Sequence, residues 1–263
     1  MTHLAALLLL LVAAAVPAAD PAPAASAPLI MLKLDDLHRW SKDPQATAPA
    51  KWQRVVDFVV AEGAKANLGL FAESLEGDCP AWSQWIRDRA ASGSFEFWHH
   101  GWYNRFPADP KVEKQGEYLN RSAEEQAAIL RKSLALVQER TGLVLHAFGP
   151  HGTAIDDATY AALAGIPEIR AVWFYGPRKG VDSTTVLIER RAELEKPLFK
   201  PNPGNLKQNW DKLKTRDYLA IQGHPGAWDD QGFADFQEIV RFLKSQGCRF
   251  VTVSEYLATR TAK

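Results

Sequence analysis

Short apolar runs alternate with longer amphipathic stretches along this chain, and that alternation limits the fold more than any other feature. Leu29 to Leu34 is an apolar run of strand length that stops abruptly at Asp35-Asp36. Trp52, Val55, Val56, Val59 and Val60 then recur at helical spacing, with Gly63 placed to end the helix. Asn67 to Phe71 reads as a strand, Pro80 to Ala91 as a helix with Trp82, Trp85 and Ile86 inward, and Phe95 to Trp98 as a strand. Ser122-Ala123-Glu124-Glu125 is a capping-box pattern that opens a long helix stopped near Gly142. Leu143 to Phe148 is the next strand, a short helix spans about Ile155 to Leu163, and Ile169 to Tyr175 is a further strand. Thr185 to Glu189 is a candidate strand, and the proline-rich stretch from Lys196 to Gln208 reads as loop. Tyr218 to Gln222 (strand), a helix striped by Phe233, Phe236, Val240 and Leu243, Arg249 to Val253 (strand) and a final helix from Ser254 complete the chain. Repeated strand–helix alternation predicts a parallel sheet covered by helices, either a barrel or a doubly wound sheet.

The polar residues fall at informative places. Asp35-Asp36, His99-His100, His151 and His224 each lie just past the C-terminal end of a predicted strand. In parallel α/β folds that edge is where active sites are built. A single histidine after a strand is ordinarily a structural hydrogen-bonder, but four polar clusters on one rim point to a site. Carboxylate plus imidazole is a ligand set for zinc and similar divalent ions, and a catalytic ion keeps one position open for water. A second carboxylate nearby takes the water's proton, and a separate histidine protonates the leaving group. Two adjacent aspartates allow that division of labour.

The order and flanks of these clusters resemble the polysaccharide deacetylases, the family that shares the NodB homology domain. Lys33-Leu34-Asp35-Asp36 matches its Thr-Phe-Asp-Asp motif, and His99-His100-Gly101-Trp102-Tyr103-Asn104 its second, histidine-bearing motif. Phe148-Gly149-Pro150-His151-Gly152 matches Arg-x-Pro-x-Gly, and Ile221-Gln222-Gly223-His224 matches Leu-x-x-His. The resemblance runs from about Leu29 to Leu257. It implies an irregular (β/α) barrel, NodB-like, with fewer than eight strands. It implies Asp35 as general base, His224 as general acid, and Asp36, His100 and Asn104 as ligands of a divalent ion, zinc first with cobalt or nickel as alternatives. The backbone N–H of His151 would face the oxyanion. Apart from the resemblance, flat rings stack on sugars, and Trp98, Trp102 and Trp228 flank these motifs as candidate substrate contacts, with burial in the core as the alternative. Two positions depart from the pattern: Asn104 stands where the family has its second metal histidine, and Phe148 where it has an arginine that orients the aspartate.

The implied activity is removal of N- or O-linked acetyl groups from an exported glycan. One alternative is a non-catalytic relative that binds a glycan or a metal. Another is a glycoside hydrolase built on Asp36 and Glu96, whose carboxyl groups would have to face each other across about 5–9.5 Å.

Charge and composition bear on partners. Lys plus Arg and Asp plus Glu both total 31, so nothing in the balance favours nucleic acid or an anionic membrane. The apolar run from Ala5 to Val16, followed by small residues, reads as a secretory signal peptide over residues 1–19. Residues 20–28 read as an Ala/Pro-rich spacer and 29–263 as one domain, with no stable membrane insertion expected after cleavage and a periplasmic or secreted destination. Cys79 and Cys248 read as two separate buried thiols, although an oxidising compartment would permit a pair.

Overall fold

The computed structural model describes residues 27–103, 117–153, 155–181 and 183–261. Its strands are β1 (Leu29–Leu37), β2 (Ala66–Leu70), β3 (Phe95–His99), β4 (Ala147–Phe148), β5 (Ala171–Trp173), β6 (Val186–Ile188), β7 (Tyr218–Gly223) and β8 (Arg249–Phe250). All of their pairings are parallel. The wall runs β6-β5-β4-β3-β2-β1-β7. A parallel bridge between Arg190, just past β6, and Ala220 of β7 joins its two ends. β8 pairs with Leu29 and Ile30, on the side of β1 that β2 occupies only from Lys33 onward. Seven strands therefore form the wall of an irregular (β/α) barrel, with β8 as a short supplement.

Helices α1 (Ala50–Ala61), α2 (Pro80–Ala91), α3 (Ala123–Thr141), α4 (Asp157–Ala164), α5 (Pro203–Gln208), α6 (Trp210–Leu213), α7 (Asp230–Ser245) and α8 (Val253–Thr261) complete the fold. Their ends follow the local chemistry. The Ser122 hydroxyl accepts from the Glu125 N–H while the Glu125 carboxylate accepts from the Ser122 N–H, which closes the capping box. Gly142 ends α3 at φ 75°, a conformation that costs glycine nothing. Val60 is the one member of the α1 stripe that faces solvent, 45% exposed at the last turn. The stretch read as loop from Lys196 to Gln208 contains α5: Pro203 sits in its first turn, where no N–H is needed, and the Asn202 side chain caps it. β4, β5 and β8 are shorter than the apolar runs that announced them.

Alternation along the strands sorts the core into layers. Ile30, Leu32, Leu34, Leu68 and Phe97 face outward and pack under the helices. Met31, Trp98, Ala147, Trp173 and Ala220 face inward and fill the barrel, joined by Val253 and Tyr256 of α8. Gly69 makes room for this filling: a Cβ there would sit 2.4 Å from the Trp98 ring. Cys79 and Cys248 are buried and unpaired. Among the described residues no helix is long and apolar enough to cross a membrane.

Candidate active site

The rim of the barrel is assembled from strand ends. Lys33 and Asp35 are two apart on β1 and share its inward face, as Gln222 and His224 do at the end of β7. Asp36 breaks the alternation. The β1–β2 register shifts between Leu34 and Leu37, and Asp36 adopts φ 69°. This bulge turns two consecutive carboxylates toward one pocket. Phe174 and Phe199 also have positive φ, at 70° and 67°, and line the same pocket. Three non-glycine residues held in the left-handed region around one cavity are a concentration of backbone strain of the kind found at functional sites.

Asp35 is 2% exposed. Its oxygens accept from the Lys33 ammonium at 2.5 and 2.6 Å and from the Gln222 amide at 2.6 Å. Its Oδ2 lies 3.7 Å from His100 Nε2 and 3.9 Å from His224 Nε2. Asp36 Oδ1 lies 3.1 Å from His100 Nε2 and 3.9 Å from His151 Nε2. Burial opposes the Asp36 charge, but the His100 hydrogen bond and the nearby imidazoles prevail and hold its carboxyl below the usual range.

His100 Nδ1 is 2.8 Å from the Gly149 carbonyl, which can only accept, so that nitrogen carries a hydrogen. Nε2 then faces Asp36 either as a second N–H or as a lone pair. A lone pair opposite a carboxylate oxygen is an arrangement that a cation bridges, and a ligating histidine ordinarily has its other nitrogen fixed in this way. Asp36 and His100 thus fit as two ligands of a divalent ion. Asn104, the expected third, lies outside the described residues. Among the described residues no three His, Cys, Asp or Glu side chains form a ready-made metal cage.

His224 is fixed by Glu195. Its backbone N–H donates to Glu195 Oε1 at 2.8 Å and its Nδ1 to Oε2 at 2.7 Å, while the Trp228 indole donates to Oε1 at 2.6 Å. Burial works against the imidazolium, but the Glu195 hydrogen bond, together with the Asp35, Glu195 and Asp36 charges, raises the His224 pKa. His151 behaves oppositely: burial and the neighbouring His100 lower its pKa.

Other residues of interest stand apart from the pocket. Trp228 is 1% exposed and Trp102 is 5% exposed, and neither ring lines the cavity. Trp228 backs Glu195 and packs on Phe236, while Trp102 lies under the Lys132 ammonium at 3.7 Å. His99 points away from the rim, fully buried against Phe148 and Tyr118, with its pKa pushed down by burial to about 3. Phe148 also faces outward, into the layer formed with Tyr118, Leu130 and Val172. Glu96 accepts from the Ser254 N–H and hydroxyl at the start of α8, so Asp36 and Glu96 do not face a shared cavity.

Four contributors were not singled out in the sequence. Lys33 carried a signal, as a charge within an apolar strand two residues from Asp35, and Gln222 stands in the same relation to His224. Arg190 follows β6, donates to Gln222 and lies 4.7 Å from the Phe174 ring centre. Glu195 comes from the loop before α5, where no periodicity marks it. The cavity, lined by Lys33, Arg190 and Gln222 together with the two aspartates and His100, His151 and His224, measures about 390 Å³. A larger cleft, about 730 Å³, opens at the opposite end beside Asp217, Arg249 and Arg260, with no histidine in its lining.

No family model matches this chain, and no curated protein matches it. Solved structures do. A pseudoenzyme of carbohydrate esterase family 4 from Bacillus anthracis is 13% identical, with TM-score 0.57, over 88% of this chain. The chain spans 66% of that protein's length. A family 4 acetyl xylan esterase from Clostridium thermocellum, solved with a cobalt ion, is 16% identical over 89% of this chain and 92% of its own, with TM-score 0.60. A peptidoglycan deacetylase from Bacillus subtilis is 14% identical over 90% and 93%, with TM-score 0.58. Identities this low establish architecture rather than chemistry: the chain has the barrel fold of carbohydrate esterase family 4.

Proposed function

We propose that this protein is a metal-dependent hydrolase that removes acetyl groups, N- or O-linked, from a glycan outside the cytoplasm. The observation that carries the reading is the convergence of Asp35, Asp36, His100 and His224 at one rim, with the hydrogen-bonding of His100 and His224 already fixed. Asp36 and His100 would hold the divalent ion, with Asn104 as a third ligand. Zinc is the first expectation, with cobalt or nickel as alternatives. When bound, such an ion polarises the acetyl carbonyl and acidifies a water.

The protein's own groups account for the protons. Asp35 takes one from the attacking water as its oxygen bonds to the carbonyl carbon. The backbone N–H of His151 faces the oxyanion. As the C–N or C–O bond breaks, His224 delivers a proton from Nε2 to the departing nitrogen or oxygen, and Glu195 stabilises the imidazolium beforehand. The products are acetate and the free amine or alcohol. Solved relatives described as acting on xylan and peptidoglycan support a glycan substrate, and the reading of residues 1–19 as a signal peptide supports export.

A second reading, a non-catalytic glycan- or metal-binding relative, is favoured by Asn104 and Phe148, which stand where the resembled motifs have a metal histidine and an arginine, and by a pseudoenzyme among the solved structures with this fold. Acetate release from acetylxylan and from N-acetylchitooligosaccharides separates the two. Hydrolysis that is lost in His224→Ala while bound metal persists supports the enzyme. Absence of acetate release across metals and substrates supports the binding protein.

A further inference from the structure

We propose that Lys33 is the positioning residue of Asp35, a buried ammonium that locks the carboxylate in the orientation from which it takes the water's proton. This rests on the hydrolase reading above.

Lys33 is 4% exposed and lies inside the barrel, level with Asn67 of β2 and Gln222 of β7, between the apolar layer of Met31 and Trp98 and Asp35 at the rim. Its Nζ reaches both oxygens of Asp35, at 2.6 and 2.5 Å. The Trp98 and Phe174 rings, with centres 4.4 and 5.1 Å away, pack against the ammonium, which borders the cavity. A buried ion pair is seldom justified by stability, since an apolar pair of similar volume serves a core as well or better. A lysine at this place therefore points to a task for its charge.

The geometry identifies that task. The ammonium spans both oxygens, and the Gln222 amide, itself held by Arg190, adds a bond to Oδ2. Together they fix the carboxylate plane so that Oδ2 turns toward His100 and His224. Lys33 also offsets the repulsion between two carboxylates that the bulge at Asp36 brings to one pocket. The tether is local, because Lys33 and Asp35 share a strand face and no other strand has to deliver the cation. Phe148, whose place in the resembled motif belongs to an arginine, packs outward, away from Asp35.

The test uses the full-length, metal-loaded protein and whichever of acetylxylan, penta-N-acetylchitopentaose or 4-nitrophenyl acetate the wild type hydrolyses. Lys33→Met should lower kcat about 10²-fold, the cost of a misplaced catalytic group. KM should stay within about twofold and metal content should be unchanged. Lys33→Arg should recover most of kcat, and methylammonium should partly and saturably restore Lys33→Ala. Where Lys33→Met fails to fold, Lys33→Gln, which keeps a donor and drops the charge, carries the same comparison. Wild-type kcat in the uncharged variant, or a loss confined to KM or to metal content, overturns the inference and leaves the hydrolase intact. A wild type that hydrolyses none of the probes overturns the hydrolase reading and this inference with it.

Discussion

Glu195→Gln should separate the charge that holds His224 from the shape that holds it. Glu195 accepts four hydrogen bonds, two on Oε1 from the His224 N–H and the Trp228 indole, and two on Oε2 from His224 Nδ1 and the Phe199 N–H. Glutamine can keep its oxygen under the first two. It then presents an NH₂ to Nδ1, which must become the acceptor, so the imidazolium loses its place; the Phe199 N–H loses its acceptor as well, a cost that is the same at every pH. Exchanging a hydrogen bond to a charged group (about 1.5–3 kcal/mol) for a neutral one (about 0.5–1.5 kcal/mol) costs about 1–2 kcal/mol. His224 has a raised folded-state pKa, so its contribution to stability is fully present below the unfolded value of 6.5 and fades as pH rises through the folded value. In the variant that contribution is gone and burial disfavours the charged ring. The stability gap between wild type and variant should therefore be widest at pH 5.5 and narrower at pH 8.5. Urea unfolding at the two pH values, with chelator present throughout, measures it. A gap that is equal at both, or wider at pH 8.5, would refute the reasoning.

Two further outcomes follow from packing. Gly69→Ala places a Cβ against the Trp98 ring and should cost about 1–3 kcal/mol as that ring shifts, read as a lower urea midpoint. Cys79 and Cys248 are both buried and free, so a thiol reagent should titrate two groups only after unfolding, and reductant should leave the melting temperature unchanged.

The fold was legible because the buried strands announced themselves as apolar runs and the longer helices as stripes. The position of Asp35, Asp36, His100, His151 and His224 at strand ends followed directly from that reading. What escaped has particular causes. Two adjacent aspartates in an extended strand should face opposite ways, and only the bulge with Asp36 at positive φ brings both to the pocket. Lys33 was visible as a charge in an apolar run, yet its partner depends on which face of β1 turns inward. Glu195 comes from an irregular loop, where neither period nor motif speaks, and only the closed barrel sets it under His224. Pro203 looks like a loop residue until Asn202 is seen capping the helix that Pro203 begins. Trp228 and Trp102 flank the site in sequence, but both rings turn into the core, where large apolar area is better buried.

Metal stoichiometry tests the central claim most directly. The wild-type protein, purified without added metal or chelator and then equilibrated with zinc, cobalt or nickel, is analysed by inductively coupled plasma mass spectrometry beside Asp36→Ala and His224→Ala. About one ion per chain is expected in the wild type and in His224→Ala, and loss of that ion in Asp36→Ala. Full occupancy in Asp36→Ala, or no ion in the wild type under any of these conditions, would contradict the claim.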